Sequence, residues 1–281
     1  MGKMVYLANY TFCDLELTKY AGPQEVLIPQ LVVGAQPTLT RLLPYYPEGY
    51  LSQWFKEVRG EEVTVWMFAK VGALPLAQAY SALIKHLGID AIIAVDGGVD
   101  SLMCGDEHGA GTLVEDAISL AAIDHQDVPV KLQACVGFGT EVEEGVCHYL
   151  ALENIAALAR EGAFLGTCSL TPQMEAFQLY EAACRYIWDQ PKHPKSHIST
   201  RIIPAVHGEF GNYHMYPDSQ NTGVLISPLM GLYWFFDANA VISRSKIIDE
   251  LRDTITLHEA FGIVALYKQS SPSRARRGLP Y

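Results

Sequence analysis

The sequence predicts an α/β fold of three layers, in which a mostly parallel, Rossmann-like sheet is covered by helices. Short apolar runs alternate with longer helical patterns along most of the 281 residues. The runs are continuously apolar, which is typical of strands that are buried on both faces. The repeated strand-helix-strand order favours parallel strands that are joined by right-handed crossovers.

Six apolar runs are predicted to form the strands. They cover residues 4–10, 63–69, 90–95, 130–138, 163–170 and 200–208. Each run contains β-branched or aromatic residues, which favour strands.

Helical patterns fill much of the sequence between these runs. Residues 74–88 have Pro75 in the first turn and end at Gly88, and residues 146–162 end at a glycine in the same way. Proline near the start and glycine just past the end are typical of helices. These two segments are therefore predicted to be crossover helices.

Two regions interrupt the alternation. Residues 21–60 contain several prolines and aromatic turns, so they are predicted to be an insertion with a short helix around 48–57. Residues 210–236 combine a polar loop with the apolar segment GLYWFF (231–236), which we expect to be a buried helix or a dimer face. The simplest interpretation is one domain over 1–270 with a basic flexible tail at 271–281.

Composition limits the classes of partner. The formal net charge is -11, so the surface as a whole repels nucleic acid and anionic lipid. No apolar run approaches the roughly 18 residues of a membrane span. The N-terminus lacks the pattern of a secretory signal, which favours a cytoplasmic protein. The expected partner is a small-molecule substrate. A homo-oligomer is compatible with the apolar segment.

Residues 94–123 carry the strongest functional signal, because carboxylates cluster there beside a buried strand. Ligands of open α/β sheets bind beyond the carboxyl ends of strands, and the run 90–95 ends at Asp96. Asp96 and Asp100 are therefore candidate ligands for a divalent cation such as Mg²⁺, Ca²⁺ or Mn²⁺, or for the hydroxyls of a sugar. The alternative is that both carboxylates cap and solvate a turn.

Glycines around this loop predict contacts to substrate. Gly97 and Gly98 allow a sharp turn and a close backbone approach, and Gly111 with Thr112 precedes a predicted helix whose free N–H groups could bind an anion. Thr112 and Glu115 also form a capping box, which explains these residues structurally. The sequence has no G-x-G-x-x-G or Walker-type pattern, so no nucleotide cofactor is predicted.

Four residues are candidates for catalysis, and two more for substrate binding. Asp100, Asp106, Glu107 and His207 could act as general acid or base. Lys70 follows one strand run, and Glu209 follows another as a partner of His207, so both are expected at the substrate. The open alternative for Asp106 and Glu107 is an ordinary acidic loop.

Four segments resemble the domain of unknown function family numbered 1152. They are YPEGYLSQWF, DGGVDSLMCGDEHGAGTLVEDAISLAA, GFGTEVEEGVCHYLALENIAAL and SPLMGLYWFFDA, which together extend over nearly the whole chain. Members of this family begin with a strand and a glycine-rich turn, whereas this chain starts at the following strand. The resemblance therefore implies a first strand-helix unit that is either missing or replaced.

Two weaker resemblances concern the stretch DGGVDS. It is similar to the Asp-Pro-Gly-x-Asp-Asp motif of nucleoside hydrolases, with Asp96, Gly98 and Asp100 in matching positions. Gly97 replaces the proline and Ser101 replaces the last aspartate, which helps to hold calcium in that family. The Asp-Gly-Gly pattern also resembles D-glutamate cyclases, which implies an amino acid derivative as substrate.

The sequence thus predicts an enzyme of hydrolase or lyase type that is metal-assisted and binds a small polar metabolite. A ligand-binding or assembly protein without catalysis is the alternative, with GLYWFF as its interface.

Overall fold

A computed structural model describes residues 3–108, 113–216 and 223–279. Its strands are β1 Leu7–Tyr10, β2 Gln24–Ile28, β3 Val32–Ala35, β4 Val65–Phe68, β5 Ala91–Asp96, β6 Val130–Val136, β7 Phe164–Ser169 and β8 Leu232–Asp237. Its α-helices are α1 Leu15–Thr18, α2 Pro47–Trp54, α3 Ala73–Leu87, α4 Leu113–Asp124, α5 His148–Arg160, α6 Glu175–Trp188, α7 Ser199–Val206, α8 Ala238–Arg244, α9 Ile248–Leu251 and α10 Leu257–Ser270.

The strands form two mixed sheets of four, with helices on both sides. The first sheet has the order β1-β4-β3-β2 and the second β5-β6-β8-β7. The α/β class is confirmed, but the prediction of a mostly parallel sheet is wrong. Only β1 with β4 and β5 with β6 pair in parallel, while the other described neighbours are antiparallel.

The region predicted to be an insertion supplies half of the first sheet. Strands β2 and β3 form a hairpin with a short link, and Gln30 within that link has φ 60°. A two-strand hairpin needs antiparallel pairing, whereas a parallel pair needs a long crossover. The short spacing therefore explains why this sheet is mixed. The predicted short helix is also present, as α2 with a π-helical extension over Phe55–Arg59.

Two apolar segments adopt the opposite structure from the one predicted. Residues 200–208, expected to be a strand, lie mostly in helix α7, and the segment GLYWFF, for which a buried helix was one of two expectations, lies mostly in strand β8. In α7, Ile203 packs against Phe177 and Trp188, so the helix is buried in a cluster of its own. A short apolar run cannot be assigned to a buried strand or a buried helix from its periodicity, which explains both errors.

Helices α3 and α4 lie beneath the region where the two sheets approach each other. Helix α3 connects β4 of the first sheet to β5 of the second, and it ends at Gly88, whose φ of +66° is the left-handed conformation that glycine favours. Buried side chains of α3 and α4, including Leu76 and Ile118, share one core with both sheets. This crossover brings the carboxyl ends of β4 and β5 to the same side of the molecule. Within the described part of the chain, no helix has the length and apolar character that would let it span a membrane.

Candidate functional site

Strand β5 delivers the first residue of the site. It ends at Asp96, and the chain then turns through Gly97 and Gly98 into a single 3₁₀ turn at Asp100–Leu102. The 3₁₀ turn reverses the chain within a few residues, so Asp100 comes back beside Asp96. Asp100 and Ser101 are buried, as expected for a turn packed over the end of a sheet.

The first turn of α4 adds a third carboxylate. Asp96, Asp100 and Asp116 each place a carboxylate oxygen within 4.8 Å of the other two. Oδ2 of Asp116 is buried and has no hydrogen-bond partner among the described residues. Three convergent oxygens of this kind match the preference of hard divalent cations for carboxylate ligands.

Polar neighbours hold Asp96 and its turn in place. The Ser101 backbone N–H donates to Asp96 Oδ2 at 3.2 Å, and the Gln133 amide donates to the Ser101 hydroxyl at 2.9 Å. The Cys135 thiol lies 3.9 Å from Asp96 Oδ2. Because Gln133 and Cys135 belong to β6, the neighbouring parallel strand, the sheet itself fixes the orientation of Asp96.

A fourth carboxylate, Glu141, lies under the same turn. Its Oε2 accepts the backbone N–H of Val99 at 2.8 Å and that of Asp100 at 3.3 Å. A Cβ at position 98 would clash with this carboxylate, so the glycine there permits the close approach. The backbone amides of Val99 and Asp100 therefore donate to a carboxyl group of the protein itself.

Burial and mutual repulsion raise the pKa values of these carboxyl groups. Burial, followed by the charge of Asp100, raises the pKa of Asp96 to about 8. The same two causes raise the pKa of Asp116 well above its usual range, and that of Glu141 as well. Without a counterion, the cluster therefore retains protons that isolated carboxyl groups would lose near neutral pH.

A groove of about 660 Å³ opens beside the cluster. It is lined by β1, β5, α3 and α4, and Asp96, Asp116 and Glu141 lie at its carboxyl end. Lys70 lines it too, where its ammonium lies 3.2 Å from Glu115 and 3.1 Å from the centre of the Phe12 ring. Burial lowers the pKa of Lys70, and Glu115 offsets part of that effect. The volume is within the range of small-molecule sites.

Asp106 and Glu107, both predicted to be catalytic, lie in a different place. Asp106 lines a separate cavity with Arg274 and Lys246, and none of these residues lines the groove. Arg274 Nη2 lies 2.5 Å from Glu107 Oε1 and 2.9 Å from Asp106 Oδ1. Although burial acts in the opposite direction, Lys246 and Arg274 hold the pKa of Asp106 below its usual value. The segment predicted to be a flexible tail is thus anchored at Arg274.

The remaining predicted residues divide into three groups. Gly97 and Lys70 line the groove. His207 and Glu209 are exposed, because the run before them is a helix, and His207 Nε2 lies 2.8 Å from Glu181 Oε2 on α6, away from the groove lining. Gly111 and Thr112 lie outside the described residues.

Sequence reasoning missed Asp116 and Glu141 as members of the site. Both have a signal in the sequence: Asp116 is in the first turn after the carboxylate loop, and Glu141 follows β6, the strand next to β5. Loops that follow neighbouring parallel strands meet at one edge of the sheet. This rule could have identified Glu141 as a member of the site.

Comparison with known proteins identifies the family. The model of the family described as "Protein of unknown function (DUF1152)" matches residues 51–265, which is more than half of the chain. The chain belongs to this family. No curated protein matches the DUF1152 chain, and no solved structure does either. The weaker resemblances to nucleoside hydrolases and D-glutamate cyclases are not confirmed by any of these comparisons.

Proposed function

We propose that this DUF1152 protein binds a divalent cation through Asp96, Asp100 and Asp116, and acts with it on a small polar metabolite as a hydrolase or lyase. The observation that carries the proposal is the approach of three carboxylate oxygens to within 4.8 Å of one another. They converge at the carboxyl end of β5, beside a groove that no described residue fills.

The electrostatics of the cluster favour a cation. Asp96 and Asp116 have raised pKa values because burial and nearby negative charge both disfavour their ionised forms. A divalent ion would reverse both effects, since it neutralises the repulsion and replaces the lost hydration with direct coordination. Binding would then release protons from the cluster, as metal binding to carboxylates generally does when their pKa values are raised.

The donor set favours a hard ion over a soft one. All three cluster residues offer oxygen, which suits Mg²⁺, Ca²⁺ and Mn²⁺. The buried Cys135 thiol lies beside Asp96, but Gln133 and Ser101 already surround it, and burial raises its pKa well above the usual value. The three aspartates alone form an all-oxygen set, whereas Zn²⁺ sites are mostly built from nitrogen and sulfur ligands.

The groove supplies the ligand site of the proposal. Lys70 and Glu115 provide one charge of each sign, and Glu144 adds another acidic group to the lining. Such a mixture of apolar surface and a few polar groups is typical of sites for small metabolites. A coordinated cation would polarise a bound oxygen or activate water there.

Glu141 is the residue that the geometry favours as a proton donor or acceptor. It lines the groove, and its pKa is raised by burial and by the aspartates. A carboxylic acid that stays protonated near neutral pH is suited to general acid catalysis. Asp106, Glu107 and His207, expected for this role from the sequence, do not line the groove.

Thermal unfolding with and without divalent cations tests the proposal. The protein is first stripped of metal, and Mg²⁺, Ca²⁺, Mn²⁺ or Zn²⁺ is then added in separate samples. Because an ion that binds only the folded state stabilises it by about 2.7 kcal/mol at one hundred times Kd, a rise of several degrees in Tm is expected from at least one hard cation.

Two substitutions in the same helix give the matched comparison. Asp116→Asn removes a cluster oxygen, whereas Asp124→Asn changes an aspartate at the other end of α4 that is paired with Arg252. The proposal predicts that Asp116→Asn abolishes the cation-dependent rise and that Asp124→Asn keeps it. An equal rise in both variants, or none in the unmodified protein, would remove the cation from the mechanism.

A further inference from the structure

Two strands that face the groove lack a neighbour on one side. Strand β1 is the last strand of the first sheet and β5 is the last strand of the second, and neither pairs with anything else in the described chain. Both line the groove along their length, from Leu7 to Tyr10 and from Ala91 to Asp96. Their unpaired backbone N–H and C=O groups therefore border the same space. Exposed edges of this kind are ready to pair with another strand.

The two edge strands run in the same direction. At their amino ends, Lys3 and Asp90 approach to 3.9 Å, before β1 and β5 respectively. At the other end, Lys70 contacts Phe12, just after β1, and also lines the groove with Asp96, the last residue of β5. A strand between them could therefore pair in parallel with both.

The size of the groove matches a short strand. With about 4.8 Å between strands, about 10 Å between layers and about 3.3 Å per residue, one strand residue occupies roughly 160 Å³. The groove of about 660 Å³ thus has room for about four residues. Strand β1 itself has four residues.

The lining of the groove is apolar where strand side chains would point. Leu83, Leu87 and Leu120 of α3 and α4 line it from the helical layer. Its β5 rim carries Ile93 and Val95, which are 54% and 59% exposed. An alternating strand would cover both sets of side chains, because successive residues point to opposite faces.

The carboxyl end of the groove carries an excess of acidic groups. Asp96, Glu115, Asp116, Glu141 and Glu144 line it, and Lys70 is the only basic residue that lines it within the described chain. Lys70 is already paired with Glu115. Glu141 and Glu144 are not ligands of the proposed cation, so a cationic side chain at this end has acidic groups to pair with, and its charge favours their ionised form. A basic residue placed there would be attracted.

We infer that the groove accepts one extended peptide strand that the described residues do not supply, parallel to β1 and β5, with small or apolar residues followed by Arg or Lys. Backbone hydrogen bonds to both edges hold the strand, and the acidic end fixes its direction. The inserted strand joins the two sheets and leaves the aspartate cluster at its carboxyl end. This inference does not depend on the proposed function.

Binding of a synthetic peptide tests the inference. The probe is Gly-Gly-Val-Ala-Val-Val-Arg-amide with fluorescein at its N-terminus, titrated with the full chain and followed by fluorescence anisotropy. One comparison peptide carries N-methyl groups on alternate backbone amides, and another ends in Glu. The N-methylated and Glu-ended peptides are each expected to bind at least about tenfold more weakly, which is about 1.4 kcal/mol. Amide hydrogen exchange should slow in both β1 and β5 when the first peptide binds.

Two substitutions on opposite edges of one sheet provide the protein control. Ile93→Lys places a charge on the groove rim, and Leu165→Lys changes a residue of equal exposure, 55% against 54%, on the far edge strand β7. Only Ile93→Lys should weaken peptide binding. Equal binding of the N-methylated peptide, equal effects of the two variants, or no binding at about 1 mM peptide would each overturn the inference.

Discussion

Asp96 at the end of β5 and Asp116 in the first turn of α4 bring their carboxylate oxygens within 4.8 Å of each other. Asp100 completes the cluster between them. A strand and the helix that follows it along the chain thus concentrate acidic groups in one place. This arrangement is costly unless protons or a cation neutralise it, and the first two predictions follow from that cost.

The stability of the metal-free protein should fall as the pH rises from about 4 towards 8. The folded-state pKa of Asp96, about 8, lies above its unfolded value of 3.8. Between these two pKa values the folded state holds a proton that the unfolded state has lost. The contribution of Asp96 to the free energy of unfolding is therefore complete below the lower pKa and is lost as the pH rises through the upper one. Urea unfolding at a series of pH values measures this slope, and it should flatten in Asp96→Asn. A variant with an unchanged slope would contradict the assignment to Asp96.

Asp116→Asn should stabilise the metal-free protein at pH 8 while it weakens cation binding. The folded state must either bury the Asp116 carboxyl group as a charge or keep it protonated, and an amide of nearly the same shape avoids both costs. The gain should be about 1–2 kcal/mol, the usual size of a single stabilising substitution. Urea unfolding without metal measures this change in the free energy of unfolding. Asp124→Asn is the control: it loses the ion pair with Arg252 and should not be stabilised. A loss of stability in Asp116→Asn would show that repulsion is not the dominant interaction there.

Arg274→Met should destabilise the fold by about 3 kcal/mol. The Glu107 carboxylate is fully buried and would lose its contact with the Arg274 guanidinium, and a buried charge without its partner is costly. Arg276→Met, two residues further along, changes an exposed side chain and should alter stability by less than about 0.5 kcal/mol. Thermal unfolding of the two variants decides between an anchored segment and a solvated tail, since a solvated tail predicts equal, small effects.

Gly98→Ala should cost about 1–3 kcal/mol, as overpacking in a core does. The new methyl group would clash with the Glu141 carboxylate, whereas a methyl at Gly97 would meet only the Ile198 side chain at 3.2 Å. Gly97→Ala is therefore the milder control. In a double-mutant cycle, Glu141→Ala should recover part of the loss at position 98, because it removes the carboxylate that the methyl group meets. Strictly additive effects would mean that the two residues do not interact.

The sequence predicted the strands and helices that have strong local signals. Strands β4, β5 and β6 and helices α3, α4 and α5 lie close to their expected positions, because continuous apolar runs and glycine or proline at helix ends are local features. The pairing of the strands was not predicted in the same way. The antiparallel insertion of β8 between β6 and β7 depends on contacts between segments far apart in the chain.

The candidate site could be predicted only where one strand end determined it. Asp96 is the last residue of β5, Gly97 and Asp100 follow it, and the structure places all three at the groove or in the cluster. Asp106 and Glu107 follow a few residues later, but the chain turns away through a buried segment and pairs them with Arg274. His207 was expected at the end of a strand, but the residues before it form helix α7. The helix does not lead to the groove, so the expected position of His207 is wrong.

Direct counting of bound Mn²⁺ tests the central claim most simply. Electron paramagnetic resonance detects free Mn²⁺ in solution, so the loss of its signal on titration with metal-free protein gives the number of ions bound. We predict one bound ion per chain, which Mg²⁺ or Ca²⁺ displaces. The Asp124→Asn variant should bind this ion, and the Asp116→Asn variant should not. No bound Mn²⁺, or equal binding in both variants, would contradict a cation site at Asp96, Asp100 and Asp116.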